Sequence, residues 1–279
     1  MKPARFAYLR PDSVAQACEA LARHGEEARI LAGGQSLAAM LNMRLVRPTL
    51  LIDINRLEAL SKIEVAGDSV VTGALVRQAD AFADARIRAR IPLLSMALPH
   101  VGHYQTRNRG TLAGSVAHAD PSAEIPLVLA TLGGDIDLKS TKRTRRVRAA
   151  DFFRSALVTA RAAEEMISAL HWPAAGTRMR FAFEEFSVRG GDYAIVAVAC
   201  MLDDEHGKVR LGFGGCGEAP QVVELDYDPG ALGQMAADAV GKIECRADMQ
   251  ASSAYRQNLA NVLATRVLTR TIGRELAPA

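Results

Sequence analysis

Two adjacent glycines, Gly33 and Gly34, constrain this sequence more than any other feature. They separate an apolar pair from a helix-like segment in the run Ile30-Leu31-Ala32-Gly33-Gly34-Gln35-Ser36-Leu37, and Ser36 stands where it can cap the segment 37–41. A strand, a glycine loop and a helix start in this order present backbone N–H groups to an anion such as a diphosphate. A tight turn that needs a positive φ explains the same glycines. Both interpretations stay open at this point.

A second stretch of small and hydroxyl residues, Thr111-Leu112-Ala113-Gly114-Ser115, lies far along the chain from the first. Two such loops can grip one diphosphate between them. The residues that follow, 116–126, supply carboxylates, including Glu124, and a turn that contains Pro121 and Pro126. The two stretches therefore predict one shared site for a ligand that carries a diphosphate.

This pair of loops resembles the two FAD-diphosphate loops in the flavoprotein (medium) subunit of molybdenum hydroxylases, a family that includes carbon monoxide dehydrogenase, xanthine dehydrogenase, and the nicotine and aldehyde hydroxylases. The stretch Phe186-Ser187-Val188-Arg189-Gly190-Gly191-Asp192-Tyr193-Ala194 also matches the family pattern Arg-x-x-Asp followed by an aromatic or aliphatic residue. Ala113 and Ser115 stand where the family often has glycine and asparagine. Glu184 stands where xanthine dehydrogenase-like members carry lysine. The pattern is therefore closest to the carbon monoxide dehydrogenase and nicotine hydroxylase type.

The resemblance implies an FAD site with assigned residues. Glu124 is expected near the sugar or ribityl hydroxyls, and Tyr193 against the isoalloxazine ring, where an aromatic side chain limits access of water and acceptors. An ordinary core tyrosine is the alternative. The predicted cofactor-binding residues are Ile30, Leu31, Ala32, Gly33, Gly34, Gln35, Ser36, Leu37, Val101, Thr111, Leu112, Ala113, Gly114, Ser115, Glu124 and Tyr193.

Three other groups of polar residues receive weaker assignments. The resemblance places Arg107 and Asn108 just ahead of the second loop, where a charged side chain can support the diphosphate. It favours a structural pair for Arg189 and Asp192. His100 and His103 have H-x-x-H spacing, but no third ligand completes a zinc set, so no metal is predicted in this chain.

Composition excludes several classes of protein. The 279 residues include 34 basic and 31 acidic side chains and only 5% aromatic residues, so a nucleic-acid partner is not expected. No apolar run approaches the roughly 20 residues needed to span a bilayer, and the N-terminus lacks a signal-peptide core, which predicts a cytoplasmic protein. The cysteines have no spacing for zinc or an iron–sulfur cluster; they are Cys18, Cys200, Cys216 and Cys245.

The order of elements predicts an α+β fold. Residues 1–56 form a small β-α-β-α-β unit, and residues 57–175 begin with a hairpin that turns at Gly67 and Asp68. By resemblance these two subdomains form an FAD-binding domain, 1–175, of the vanillyl-alcohol oxidase (PCMH) type. Residues 176–279 are predicted as a smaller α+β domain with a three-stranded sheet and helices. A basic hairpin at 142–148 either contacts a partner or is a solvated turn.

The motif Gly212-Phe213-Gly214-Gly215-Cys216-Gly217 matches the dinucleotide fingerprint G-x-G-x-x-G, but a dinucleotide site must open a helix. Here Pro220 and strand-like residues follow. We therefore interpret this motif as a structural turn.

The resemblance implies an FAD-carrying electron-transfer subunit of a heterotrimer. It would take electrons from a small subunit with 2Fe-2S clusters and pass them to NAD, oxygen or another acceptor, while a large subunit with the molybdopterin-type molybdenum cofactor oxidises the substrate. A dimer of these heterotrimers is expected. A self-contained FAD-dependent oxidoreductase of the same fold and a flavin-free structural subunit are the alternatives, and the presence of flavin colour distinguishes the last.

Overall fold

The computed structural model describes residues 2–272, and its N-terminal unit is a three-stranded parallel sheet with strand order β1-β3-β2. Its elements are β1 (Ala7–Leu9), α1 (Val14–His24), β2 (Ala28–Leu31), α2 (Leu37–Asn42) and β3 (Leu50–Asp53). Helix α1 begins at Ser13, whose hydroxyl accepts a hydrogen bond from the Gln16 N–H, and ends at Gly25. This is the predicted β-α-β-α-β unit. Helix α2 ends at Asn42, and Arg44, just beyond it, takes a positive φ of 57°.

The second subdomain is built around a five-stranded sheet with strand order β4-β5-β10-β6-β7. Its elements are β4 (Ile63–Ala66), β5 (Ser69–Gly73), α3 (Gln78–Ala83), α4 (Ala85–Arg90), α5 (Pro92–Ala97), α6 (Tyr104–Arg109), α7 (Leu112–His118), α8 (Glu124–Leu132), β6 (Asp135–Lys139), β7 (Thr144–Arg148), α9 (Ala149–Phe152), β8 (Phe153–Ser155), β9 (Val158–Thr159) and β10 (Met166–Pro173). Helices α3 and α4 are separated at Asp84, whose carboxylate accepts from the N–H groups of Arg86 and Ile87 and so starts a new helix.

The C-terminal part has a four-stranded antiparallel sheet, whereas the sequence predicted three strands. Its elements are β11 (Met179–Phe186), β12 (Val196–Asp203), β13 (Lys208–Gly214), β14 (Gln221–Asp226), α10 (Leu232–Val240) and α11 (Ser253–Ile272). The additional strand, β14, lies at the edge of the sheet. Only Val223 among its residues is buried.

Strand β12 connects two hydrophobic cores because its side chains alternate between the two faces of the sheet. Ala197 and Ala199 belong to a core that also fills the space between the two N-terminal subdomains. Val196 and Val198 belong to a second core under α10 and α11. Helix α8 lies against β12 and β13 on the first face. The first residue of that helix is Glu124, so this packing brings the C-terminal sheet close to a predicted site residue.

Candidate functional site

A cavity of about 870 Å³ lies where the two predicted loops meet. The first loop follows β2 in the parallel sheet, and the second is the start of α7 in the other subdomain. An added Cβ at Gly33 would stand 2.4 Å from the Arg109 carbonyl oxygen and 2.9 Å from the Gly110 Cα. The two loops are therefore in direct backbone contact, and only glycine permits this approach at position 33.

The first loop presents a row of unpaired donors. Gly34 has a φ of +74°, so this glycine does serve a tight turn, as the alternative interpretation held. Within residues 2–272, the backbone N–H groups of Gly33, Gly34, Gln35 and Ser36 donate to no protein acceptor. The same loop is thus both a tight turn and a source of unpaired N–H donors, so the two interpretations of its glycines are compatible.

The predicted cap at Ser36 is wrong. Ser36 has helical φ and ψ angles, and its side chain makes no capping hydrogen bond. A capping serine needs an extended backbone, which the turn at Gly34 does not leave to it. The Ser36 side chain instead lies near Tyr193.

The second stretch is the first turn of a helix rather than a free loop. The Thr111 hydroxyl caps α7 by accepting from the Gly114 N–H at 2.9 Å. The Ala113 N–H has no acceptor in the part of the chain that the structure describes. Ala113 and Gly114 both line the cavity that the first loop also lines. Unpaired N–H groups on two sides of one cavity form a site for an anion.

Most of the predicted cofactor-binding residues line this cavity. They are Ile30, Ala32, Gly33, Gly34, Gln35, Ser36, Leu37, Val101, Thr111, Ala113, Gly114, Ser115, Glu124 and Tyr193. Leu31 and Leu112 do not line it. Leu31 packs beneath the turn, with its Cδ1 3.2 Å from the Cβ position of Gly34, and Leu112 is fully buried in the core.

Arg107 and Asn108 are also outside the cavity lining. The Arg107 guanidinium donates to the carbonyl oxygens of Val101 and Gly102, both at 3.0 Å. It therefore shapes the backbone of the cavity wall and does not face a diphosphate. Arg189 and Asp192 are joined by a backbone hydrogen bond of 3.1 Å, from the Asp192 N–H to the Arg189 carbonyl, rather than by a side-chain ion pair.

Glu124 is a buried carboxyl group, only 4% exposed, in the wall of the cavity. Burial, followed by the charge of Glu185, raises the pKa of Glu124 to about 8. Glu185 is paired with His100 at 3.4 Å between Oε1 and Nδ1, and this hydrogen bond raises the pKa of His100. Glu124 is therefore mostly protonated at neutral pH and can donate a hydrogen bond to a hydroxyl or carbonyl group.

Tyr193 stands at the edge of the cavity and is not a core residue, since it is 49% exposed. Desolvation raises the pKa of its phenol to about 12, and the nearby carboxylates Asp120 and Glu124 act in the same direction. The phenol is therefore neutral at physiological pH. The turn before it is fixed by Gly191, which has a φ of +85° and leaves room for the His103 ring only because it lacks a side chain.

One wall of the cavity was not predicted from the sequence. This wall comes from the β8–β9 hairpin and the segment after it, and its residues include Leu157, Val158, Thr159, Arg161, Glu165 and Met166. The Arg161 guanidinium folds back onto the carbonyl oxygens of Ala162 and Glu165 at 2.9 and 2.8 Å. The strands of this hairpin are too short to show an alternating pattern, so the sequence carried no signal for this wall.

Gln78 was also missed, although it is only 5% exposed and lines the cavity. Its Nε2 lies 3.5 Å from the Thr111 carbonyl, and its Oε1 is buried without a hydrogen-bond partner. A buried acceptor without a donor favours a ligand that brings a hydroxyl or N–H group to this wall.

Across residues 2–272, no group of three or more His, Cys, Asp or Glu side chains is arranged to hold a metal ion. None of the described helices is long and apolar enough to cross a membrane.

Known proteins resemble this chain over nearly its whole length. A family model for the FAD binding domain in molybdopterin dehydrogenase matches residues 4–175, and one for the CO dehydrogenase flavoprotein C-terminal domain matches residues 181–271. The chain is 35% identical to the 6-hydroxypseudooxynicotine dehydrogenase complex subunit alpha of Paenarthrobacter nicotinovorans, over 98% of this chain and 97% of the relative. It is 32% identical to the nicotine 6-hydroxylase medium subunit of the same organism, over 98% and 100%.

The fold matches that of a solved carbon monoxide dehydrogenase from Hydrogenophaga pseudoflava with a TM-score of 0.93 and 28% identity, over 98% of this chain and 99% of that one. This confirms the predicted family and its carbon monoxide dehydrogenase and nicotine hydroxylase type. It also confirms the α+β fold with an FAD-binding domain and a smaller C-terminal domain. The chain belongs to the family of FAD-binding subunits of molybdenum hydroxylases. The complexes that these subunits belong to are oxidoreductases that contain molybdopterin.

Proposed function

We propose that this chain binds one FAD in the cavity between its two loops and passes electrons from a partner's 2Fe-2S clusters to an external acceptor. The observation that carries this proposal is the set of unpaired backbone N–H groups at Gly33, Gly34, Gln35, Ser36 and Ala113, which face one cavity from two sides. Such donors suit a diphosphate because they supply partial positive charge without a mobile side chain.

The side chains around these donors fit the rest of FAD. The buried Gln78 Oε1 accepts from a hydroxyl, and the protonated Glu124 donates to one. Tyr193 covers the flat apolar face of the isoalloxazine ring at the edge of the cavity. When bound, FAD supplies the ability to accept single electrons from a cluster and to release them in pairs. The chain's own residues bind the cofactor, orient it and limit the access of water to it.

We further propose that the chain works in a heterotrimer. A small subunit would hold the 2Fe-2S clusters and a large subunit the molybdenum cofactor, and two heterotrimers would associate. Two relatives support this assembly, since one is named a subunit of a dehydrogenase complex and the other a medium subunit. The described cysteines are free thiols, and Cys18, Cys200 and Cys216 are buried. Cys216 and Cys245 lie beside each other, whereas a 2Fe-2S cluster needs four thiolates in one place.

The first test is the cofactor content of the chain purified alone. We expect one FAD per chain, no molybdenum and no acid-labile sulfide. We also expect flavin reduction by artificial reductants without hydroxylation of purines, N-heterocycles, aldehydes or carbon monoxide. Metal analysis, flavin absorbance and turnover assays measure these quantities. A folded chain that does not bind added FAD would contradict the proposal, and substrate oxidation by the isolated chain would favour the self-contained oxidoreductase.

A second test concerns Tyr193. We expect Tyr193→Ala to change the rate at which oxygen or NAD reoxidises the reduced flavin, because it opens one face of the ring, while FAD affinity changes much less. Tyr193→Phe keeps the ring and should stay close to the unsubstituted protein. Tyr255→Ala, which removes another half-exposed tyrosine from α11, is the matched control. Stopped-flow absorbance gives the rates. Identical rates for Tyr193→Ala with every acceptor would exclude this role.

A further inference from the structure

The two loops of the cavity are tied together by side chains that do not line it. Asn55 follows β3, and its Nδ2 donates to the Ala32 carbonyl at 2.9 Å, directly before Gly33. It also lies 3.4 Å from the Leu31 carbonyl. Asn55 therefore holds the end of β2 and the start of the first loop.

Arg77 continues this connection to the second loop. Its Nη2 donates to the Asn55 Oδ1 at 2.6 Å, and its Nη1 donates to the carbonyl oxygen of Arg109, close before Thr111. The backbone around Arg77 also pairs with the second loop, because Arg77 and Thr111 form an isolated antiparallel bridge. We call Asn55 and Arg77 the loop clamp. The Asn55 and Arg77 side chains thus reach the two loops through main-chain carbonyl oxygens and are joined to each other by a hydrogen bond.

The loop clamp has a rigid base. The Asp53 Oδ1 accepts from the Asn55 backbone N–H at 2.9 Å and from its Nδ2 at 2.6 Å, and Tyr8 donates to the other carboxylate oxygen. Burial raises the pKa of Asp53, but the hydrogen bonds from Tyr8 and Asn55 outweigh this effect and hold the pKa below its ordinary value. Asp53 is thus ionised, and its charge fixes the orientation of the Asn55 amide so that Nδ2 faces the first loop and Oδ1 faces Arg77.

We propose that Asn55 and Arg77 are positioning residues that set the spacing of the two diphosphate-binding loops. This inference rests on the proposed function and adds to it two residues that do not touch the cofactor. The spacing matters because the unpaired N–H groups of Gly33 and Ala113 must both reach hydrogen-bonding distance of one ligand. Gly33 packs so closely against the Arg109 carbonyl that the distance between the loops cannot shorten further. Arg77 donates to this same carbonyl.

The test is the FAD dissociation constant of the full chain, measured by quenching of flavin fluorescence well below the melting temperature. Arg77→Ala and Asn55→Ala should each raise it by roughly 10- to 100-fold, which is the equilibrium equivalent of losing a hydrogen bond to a charged group. Arg86→Ala is the matched control, since Arg86 also donates to a main-chain carbonyl, that of Ile63 at 2.6 Å, but far from either loop. It should leave the dissociation constant unchanged.

A double-variant cycle separates positioning from general destabilisation. Because Asn55 and Arg77 belong to one bridge, the double variant should bind FAD about as weakly as either single variant, whereas independent effects would multiply. Asn55→Asp and Arg77→Lys serve if the alanine variants do not fold. Asn55→Asp loses the donor to Ala32 and should bind weakly, and Arg77→Lys should retain part of the affinity.

The outcomes distinguish the two proposals. If the unsubstituted chain binds FAD and the clamp variants bind it with unchanged affinity, the loop clamp alone is overturned. The same holds if the effects of the two single variants multiply in the double variant. Failure of the unsubstituted chain to bind FAD would overturn the proposed function and the clamp with it.

Discussion

Replacing Arg256 with alanine is expected to lower the free energy of unfolding by about 3–5 kcal/mol, the usual cost of removing one partner from a buried charged network. Arg256 lies on α11 and is fully buried. Its Nη1 donates to the carbonyl oxygens of Ile195 and Gly215, the latter at 2.8 Å, and its Nη2 donates to the Asp248 Oδ2 at 2.6 Å. The substitution removes one donor from each of these acceptors, although the Arg246 Nη2 stays 3.8 Å from the Asp248 Oδ2.

Arg266→Ala is the matched control on the same helix. Its guanidinium contacts the Glu184 carboxylate at 3.0 Å, but the Arg266 side chain is 59% exposed, so the expected loss is less than about 1 kcal/mol. Equilibrium denaturation followed by circular dichroism measures both variants. Equal losses for the two arginines would show that the buried network does not hold the C-terminal domain together.

Arg256 also holds main chain close to a residue of the candidate site. It fixes the carbonyl of Ile195, two residues after Tyr193, at the start of β12. It also fixes the turn at Gly215, where an added Cβ would meet the Ile195 carbonyl at 2.4 Å. In the glycine-rich motif that mimics a dinucleotide fingerprint, residues 212–214 end strand β13, and the predicted turn begins at Gly215. The missing side chain at Gly215 lets its main chain approach that of Ile195.

The parts of the site that were predictable from sequence are those in which local chemistry is decisive. Gly33 and Gly34 identify a loop because no other residue tolerates the required backbone approach or the positive φ. The small and hydroxyl residues at 111–115 were recognised as part of the site, although they were predicted as a loop and form the first turn of α7. The N-terminal unit was predicted for the same reason, since β2, α2 and β3 are short, local and bounded by such residues. Signals of this kind lie within a few positions of the feature that they specify.

The parts that were missed depend on partners distant in the sequence. Asn55, Arg77 and Gln78 are ordinary polar residues until the fold brings residues 32, 109 and 111 beside them. No sequence pattern around residue 77 indicates that its guanidinium joins two loops.

The edge strand β14 was not predicted for a related reason. Its position is set by pairing with β13, from Lys208 opposite Asp226 to Phe213 opposite Gln221, and not by its own weak alternation.

The pH dependence of stability should be dominated by Glu124, and Glu124→Gln should remove much of it. The pKa of this carboxyl is about 8 in the folded protein and 4.5 as its ordinary value. Between these values the folded state holds a proton that the unfolded state has released, so the free energy of unfolding falls as pH rises from about 4.5 to 8. The largest loss consistent with that shift is roughly 5 kcal/mol, reached above pH 8.

Glutamine has nearly the same shape as a protonated glutamate but cannot ionise. We therefore expect Glu124→Gln to match the unsubstituted protein near pH 5 and to exceed it in stability near pH 9. The charged groups that face Glu124 are Glu185, His100 and Asp120, and they remain in both proteins, so their titration largely cancels in the difference. Glu58→Gln, at an exposed position, is the control for removing one glutamate. Urea denaturation of the FAD-free full chain from pH 5 to 9 provides the measurement. If the curves for the unsubstituted protein and Glu124→Gln run parallel over this range, Glu124 is not the buried acid at the cavity wall.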